Sequence, residues 1–158
     1  MEKLDKLHKI ILNKPLDDVI NFIKTNNINI NSYTTLFNSN GSFPLGYAAH
    51  FAKYDVCKWL LENGADINQT DANGRNALFD SFNDIKILKL FLKHGIEFSN
   101  IFEQIEKYEE NVVNNYTRFT SPRAVKRHSD MVNHMIKIKG ILLYEYRKRK
   151  LERITNES

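Results

Sequence analysis

The side chains able to perform chemistry are scattered, without the spacing that a reaction centre requires. Five histidines stand at positions 8, 50, 94, 128 and 134. His128 and His134 are six residues apart, about 240° around a helix, so they cannot share a metal ion. The adjacent carboxylates Asp17-Asp18 and Glu109-Glu110 point about 100° apart on a helix, which suits solvated faces better than paired acid–base work. Cys57 is the single cysteine, which excludes an intrachain disulfide and a cysteine cage for a metal. It stands beside Trp59 and Leu60 on the apolar side of a helical stretch, where a small core residue belongs. The sequence holds no glycine-rich phosphate loop and no Gly-x-Ser-x-Gly turn. The expectation is a protein that is not an enzyme, with no cofactor and no metal.

Charge is more informative. The net charge is +4, yet residues 121–158 hold ten Lys/Arg against four Asp/Glu, so the excess belongs to the C-terminal stretch. Its densest part is Arg147-Lys148-Arg149-Lys150. Three readings compete: a solvated helix end that complements the helix dipole, a contact with an acidic protein, or a contact with nucleic acid or membrane. No interleaved aromatic groove or recognition-helix pattern favours the last.

The elements that must position these residues centre on 38–100. From Asn38 to Thr70 the chain reads turn, short helix, tight turn, longer helix and loop, and Asp71 begins the same order again, a period near thirty-three. Gly41 and Gly74 each lie three residues past a turn-forming Asn38 or Asp71. Pro44 presets the first helical turn, and Ala48-Ala49 keep that helix thin enough for close packing. Val56 to Leu61 form the second helix, which Gly64 caps. One helix pair cannot enclose its own apolar face, so the repetition implies stacked pairs.

On these stations the chain resembles the ankyrin-repeat family, over 38–70 and again over 71–98. They are Gly41, Pro44, Leu45, Ala48, Ala49, Val56, Leu60, Leu61, Gly64, Ala65, Asp66 and Asn68, then Asp71, Gly74, Ala77, Leu78, Leu90, Leu92 and Gly95. The family's Thr-Pro-Leu-His tetrad, whose Thr and His tie each repeat by hydrogen bonds, reads Phe43-Pro44-Leu45-Gly46 and Asn76-Ala77-Leu78-Phe79 here. Those polar ties are expected to be largely gone. Two residues fewer separate Gly74 from Gly95 than Gly41 from Gly64, so the turn near Asn83-Asp84 should be clipped.

The rest of the chain reads as helical. Leu4, Leu7, Ile10 and Ile11 mark a first helix ended by Pro15, and Val19, Ile20, Phe22 and Ile23 mark a second with Asp17-Asp18 at its positive end. The following Asn27 stands where Gly64 stands in the repeat, so the start is read as a degenerate repeat. Ser32 to Ser39 is a longer connection carrying Tyr33, Leu36 and Phe37. Past Phe98, Ile101, Phe102, Ile105 and Tyr108 mark a helix suited to closing the stack, and Asn111 to Thr120 shows no clear pattern. Ser121-Pro122 starts a last helix with Met131, Met135, Ile138, Leu142 and Tyr146 on one face, a stripe suited to packing or to a homodimer seam.

The expected architecture is all-α: a short ankyrin-repeat solenoid of stacked helix pairs with a helical C-terminal extension. Its parts are a degenerate N-terminal capping repeat over 1–37, two repeats over 38–100, and a cap or extension with a basic tail over 101–158. The resemblance implies recognition of a partner protein through the concave surface, by hairpin-like tips and short inner helices. Carried over by position, this gives Asn40, Ser42, His50 and Phe51 from one repeat and Ala72, Asn73, Arg75 and Asn83 from the next, with Tyr54 in the turn between helices. Small ankyrin proteins of this kind, from low-GC bacteria or viruses, include inhibitors, immunity proteins and host-interaction factors. The alternative is a nucleic-acid-associated protein acting through the basic C-terminal helix. No run is apolar enough to span a membrane and no secretion signal opens the chain, so a cytoplasmic monomer or homodimer is expected, with delivery to a host cell open.

Overall fold

A computed structural model describes residues 2–32, 42–72, 74–98, 101–102, 106 and 122–156. It divides into two compact units, Met1–Glu97 and Phe98–Ser158.

In the first unit, helices alternate between two layers. The inner helices are α1 (Glu2–Asn13), α3 (Pro44–His50) and α5 (Ala77–Asp80). The outer helices are α2 (Leu16–Thr25), α4 (Tyr54–Glu62) and α6 (Ile85–Lys93). Inner helices touch inner neighbours, outer helices touch outer neighbours, and α1 with α2 and α3 with α4 pack as pairs. This is the stacked-pair, all-α arrangement that the repeat demanded. Leu7, Ile11, Val19, Leu45, Leu60, Leu78, Ile87, Leu88 and Phe91 lie buried between the layers, each contributing about 2 kcal/mol of burial free energy. Ala48 and Ala49 are fully buried, and their small size allows α3 to sit close to its neighbours.

Local chemistry explains the boundaries. Pro44 occupies the first turn of α3, and Asp17 with Asp18 occupies the first turn of α2. Four helices end in the same left-handed motif. Asn27, Ala52, Gly64 and Gly95 take φ of 48°, 53°, 91° and 81°. After α4, Gly64 N–H donates to the Leu61 carbonyl (3.3 Å) and Ala65 N–H to that of Leu60 (2.9 Å). Equivalent bonds follow the other three helices. Asn27 therefore does the work of a capping glycine, as its position in the sequence indicated. The second repeat is clipped as expected: α5 has 4 residues, a 3-10 turn covers Ser81–Asn83, and Asp84 immediately caps α6 by accepting from Lys86 N–H at 2.7 Å.

The altered tetrads have different outcomes. At the first, the loss of polar atoms is compensated by packing: a Cβ on Gly46 would lie 3.1 Å from the Phe43 ring, which is itself buried. At the second, the expectation of lost ties is corrected. Asn76 caps α5 by accepting from Leu78 N–H (3.2 Å), and its amide donates to the Glu97 carbonyl (2.8 Å). An amide has both a donor and an acceptor, so one side chain serves the helix and the next loop together. Asn31 acts similarly between the first two loops, accepting from Asp66 N–H (2.8 Å) and donating to the Gly64 carbonyl (3.1 Å).

In the second unit, α7 runs over Pro122–Asn156. Met135, Ile138 and Leu142 are buried within the single chain, and Tyr146 meets Phe98 and Phe102 edge-on, with centroids 6.5 and 5.9 Å apart. The Met131 side chain, Ser121, and the stretches 33–41, 103–105 and 107–120 lie outside the described residues. Among the described residues, no helix is long and apolar enough to cross a membrane.

Candidate functional site

The exposed tip of the second repeat is organised by one carboxylate. Asp71 Oδ1 accepts from Arg75 N–H (3.0 Å), while Oδ2 accepts from Arg75 Nε (3.0 Å) and Nη2 (2.8 Å). Gly74, at φ 72°, turns the chain between them. The pair fixes the Arg75 guanidinium, which then stands 5.3 Å from the centre of the Phe79 ring. The guanidinium is thus already held over an aromatic ring before any partner arrives.

From there a continuous strip crosses the inner helices. Asp80, at the end of α5, approaches His50 Nδ1 at the end of α3 to 3.4 Å. His50 meets the Phe51 ring edge-on at 4.9 Å, and Phe51 lies 4.8 Å from Tyr47. Tyr47 stacks in turn on His8 of α1, with centroids 4.3 Å apart and planes 8° from parallel. Phe51 is 37% exposed, whereas His8 is fully buried. Buried floor and open edge therefore meet within one aromatic row.

Burial sets the electrostatics. It raises the Asp80 carboxyl to about 6, with Asp71 adding to the rise, against the opposing pull of His50 and Arg75. It lowers His8 to about 4, only partly offset by Asp5. It raises the Cys57 thiol well above the usual range, so this buried cysteine is an inert core residue. It also raises the Tyr47 hydroxyl.

The residues picked from the sequence fall into separate groups. His50, Phe51 and Arg75 belong to the strip, and Ser42 lies half-buried just ahead of α3. Tyr54 is not in the turn but is the first residue of α4, where it lines a groove on the outer layer. The α4 N-cap is Lys53, so the helix starts two residues before Val56, where the sequence reading began it. Ala72 is exposed at the tip. Asn83 lies in the 3-10 turn, while Asn40 and Asn73 are outside the described residues. Sequence reading missed Tyr47, Phe79 and Asp80. Their signal was helical spacing, with Tyr47 four residues before Phe51 and Phe79 four after Arg75.

The basic run is less uniform than its composition suggests. Arg149 pairs with Glu145 at 3.2 Å and lies 4.7 Å from the Phe98 ring centre, half-buried within the second unit. Lys148 reaches Glu152 at 4.0 Å, and Arg147 and Lys150 are exposed.

Inner helices, capped outer helices and a projecting tip recur along the first unit, and the family model for ankyrin repeats, in three copies, matches residues 7–101. The chain belongs to the ankyrin-repeat family. An ankyrin-repeat protein of Acanthamoeba polyphaga mimivirus is 33% identical over 118 residues, which cover 73% of this chain and 14% of that relative. The chain thus spans a small part of the length of the curated relative it matches. Among solved structures, it is similar in fold to one chain of a complex between a predatory endopeptidase of Bdellovibrio bacteriovorus and an immunity protein. That likeness has a TM-score of 0.51 at 22% identity and covers 58% of this chain and 46% of the other. Ankyrin repeats are protein–protein interaction modules and generally not enzymes, so the strip lies on a scaffold suited to recognition.

Proposed function

We propose that this ankyrin-repeat chain binds a partner protein through the inner-helix strip of Tyr47, His50, Phe51, Arg75, Phe79 and Asp80. The observation that carries the reading is the row of partly exposed rings flanked by a preorganised guanidinium and a carboxylate–imidazole pair. Aromatic and arginine side chains concentrate binding energy when a partner excludes water from them, and fixed rotamers lower the entropy lost on association. The degenerate N-terminal capping repeat is assigned to 1–37, and a C-terminal cap or extension to 101–158. Ser42, half-buried just ahead of α3, is assigned to the same surface as the strip, as Asn40, Asn73 and Asn83 are by their family positions alone. Among finer roles, inhibitor or immunity protein is favoured by the endopeptidase–immunity complex with which the fold is shared.

The test is capture of partners on the immobilised chain from lysate of its source cell. One dominant protein at near-equal stoichiometry is expected, lost with His50→Ala/Phe51→Ala and retained with Arg147→Ala/Lys150→Ala. Arg75→Ala is a poorer probe because it also dismantles the tip. Retention by the inner-helix variant with loss by the tail variant would favour the C-terminal helix, and nucleic acid recovered in that case would favour the alternative role.

A further inference from the structure

The outer layer carries a groove between α4 and α6 that is separate from the proposed recognition strip. It is an open groove of about 560 Å³, lined by Tyr54, Lys58 and Glu62 from α4 and by Lys86, Lys89 and Lys93 along α6, with Leu90 at its floor. Leu90 is buried, whereas the four lysines are exposed. Glu62 is the only carboxylate in the lining, and it is already engaged by Lys58 at 3.9 Å.

The lysine arrangement is not explained by helix stability. Every polar residue of α6 is a lysine, at positions 86, 89 and 93, so all three fall on one face. Like charges at this spacing repel one another. Lys86 is also in the first turn, at the positive end of the helix dipole, where a cation is disfavoured and a carboxylate would be usual. Among the described residues no carboxylate pairs with Lys86, Lys89 or Lys93. A solvated face would gain from mixed signs at these positions, as Lys58 and Glu62 show on α4.

We infer that this groove binds a compact polyanion with several phosphate groups, whose charge the lysines of α6 and Lys58 neutralise together. Phosphate is favoured over carboxylate by charge density: each phosphate group brings up to about two negative charges and three acceptor oxygens where a carboxylate brings one charge and two oxygens, so a compact phosphate anion matches four ammonium groups in this volume. The groove's volume is within the range of small-molecule sites.

The probe is inorganic tripolyphosphate, titrated calorimetrically into the full chain at low salt. One-to-one binding is expected, weakening by about ten-fold or more in Lys86→Glu/Lys89→Glu, less in Lys86→Gln/Lys89→Gln, and little in Arg147→Glu/Lys150→Glu. Thermal midpoints no lower than the parent's in the exposed-site variants certify that folding is intact. Absence of saturable binding, or loss in the tail variant alone, overturns the site. A polyglutamate peptide or a short DNA duplex of comparable charge that outcompetes tripolyphosphate overturns the ligand class. None of these outcomes depends on the partner-binding strip, because His50→Ala/Phe51→Ala leaves this titration unchanged.

Discussion

A carboxylate oxygen of Asp80 lies 3.4 Å from Nδ1 of His50, joining the ends of two consecutive inner helices. The same carboxylate has an oxygen 3.3 Å from where a side chain on Gly46 would begin. Asp80 is therefore enclosed between neighbouring repeats while one edge remains in water, and burial disfavours its charge despite the opposing pull of His50 and Arg75.

The pH dependence follows from two groups of opposite sign. Asp80 has its carboxyl raised from 3.8 to about 6, so its contribution to stability is fully present below pH 3.8 and is lost as pH rises through 6. His8 has its imidazole lowered from 6.5 to about 4, so its contribution is present above 6.5 and lost as pH falls towards 4. The shift at buried His8 corresponds to about 3 kcal/mol, and that at Asp80 to about 1 kcal/mol once discounted for its exposure. Between pH 6 and 4 the two oppose each other. Urea denaturation should show Asp80→Asn to be more stable than the parent near pH 7 and to lose stability more steeply on acidification, while His8→Phe removes most of the acid loss. Parallel pH profiles for parent and Asp80→Asn would contradict this.

Packing of Phe43 on Gly46 predicts non-additivity. In most helices Gly→Ala adds about 1 kcal/mol, but here the new methyl would press on a buried ring at 3.1 Å. Gly46→Ala should give no gain or a net loss. Combined with Phe43→Leu, which opens the space, it should recover the gain, giving a coupling energy of about 1 kcal/mol in a double-mutant cycle. Simple additivity would show that the ring does not restrict this position.

Ala52 adopts φ 53° at the exposed end of α3, where its side chain has little to pack against. A left-handed alanine is strained by about 1 kcal/mol, of which part is regained by glycine after its greater unfolded-state entropy is counted. Ala52→Gly should raise the chemical-denaturation midpoint by the equivalent of about 0.5 kcal/mol. A lower midpoint would mean that this turn is not strained.

Asn31 satisfies the Asp66 N–H and the Gly64 carbonyl across more than thirty residues of sequence. Asn31→Ala leaves both without that partner and should cost about 2 kcal/mol. Hydrogen exchange should quicken first at Asp66, the amide that Asn31 holds. Asn68→Ala, removing the acceptor for Glu97 N–H at 2.8 Å, should do the same one repeat later.

The sequence by itself determined the repeated elements and their stops. Pro44, Gly64, Gly95, Asn27 and the missing residues near Asn83 act through backbone angles and contacts within a few residues, so their effects were readable in order along the chain. Apolar spacing likewise marked the faces of α1, α2 and α4. Tertiary structure alone decided which polar and aromatic groups became a surface. Arg149 looked like part of a basic tail but lies over the distant Phe98 ring, whereas Tyr47 and Asp80 drew no notice and stand at the junction of three inner helices. Tyr54 similarly moved to the outer groove with Lys58 and the α6 lysines. Exposure and charge pairing depend on what the neighbouring helix brings into contact, thirty or more residues away, and no local pattern in this sequence encodes that meeting.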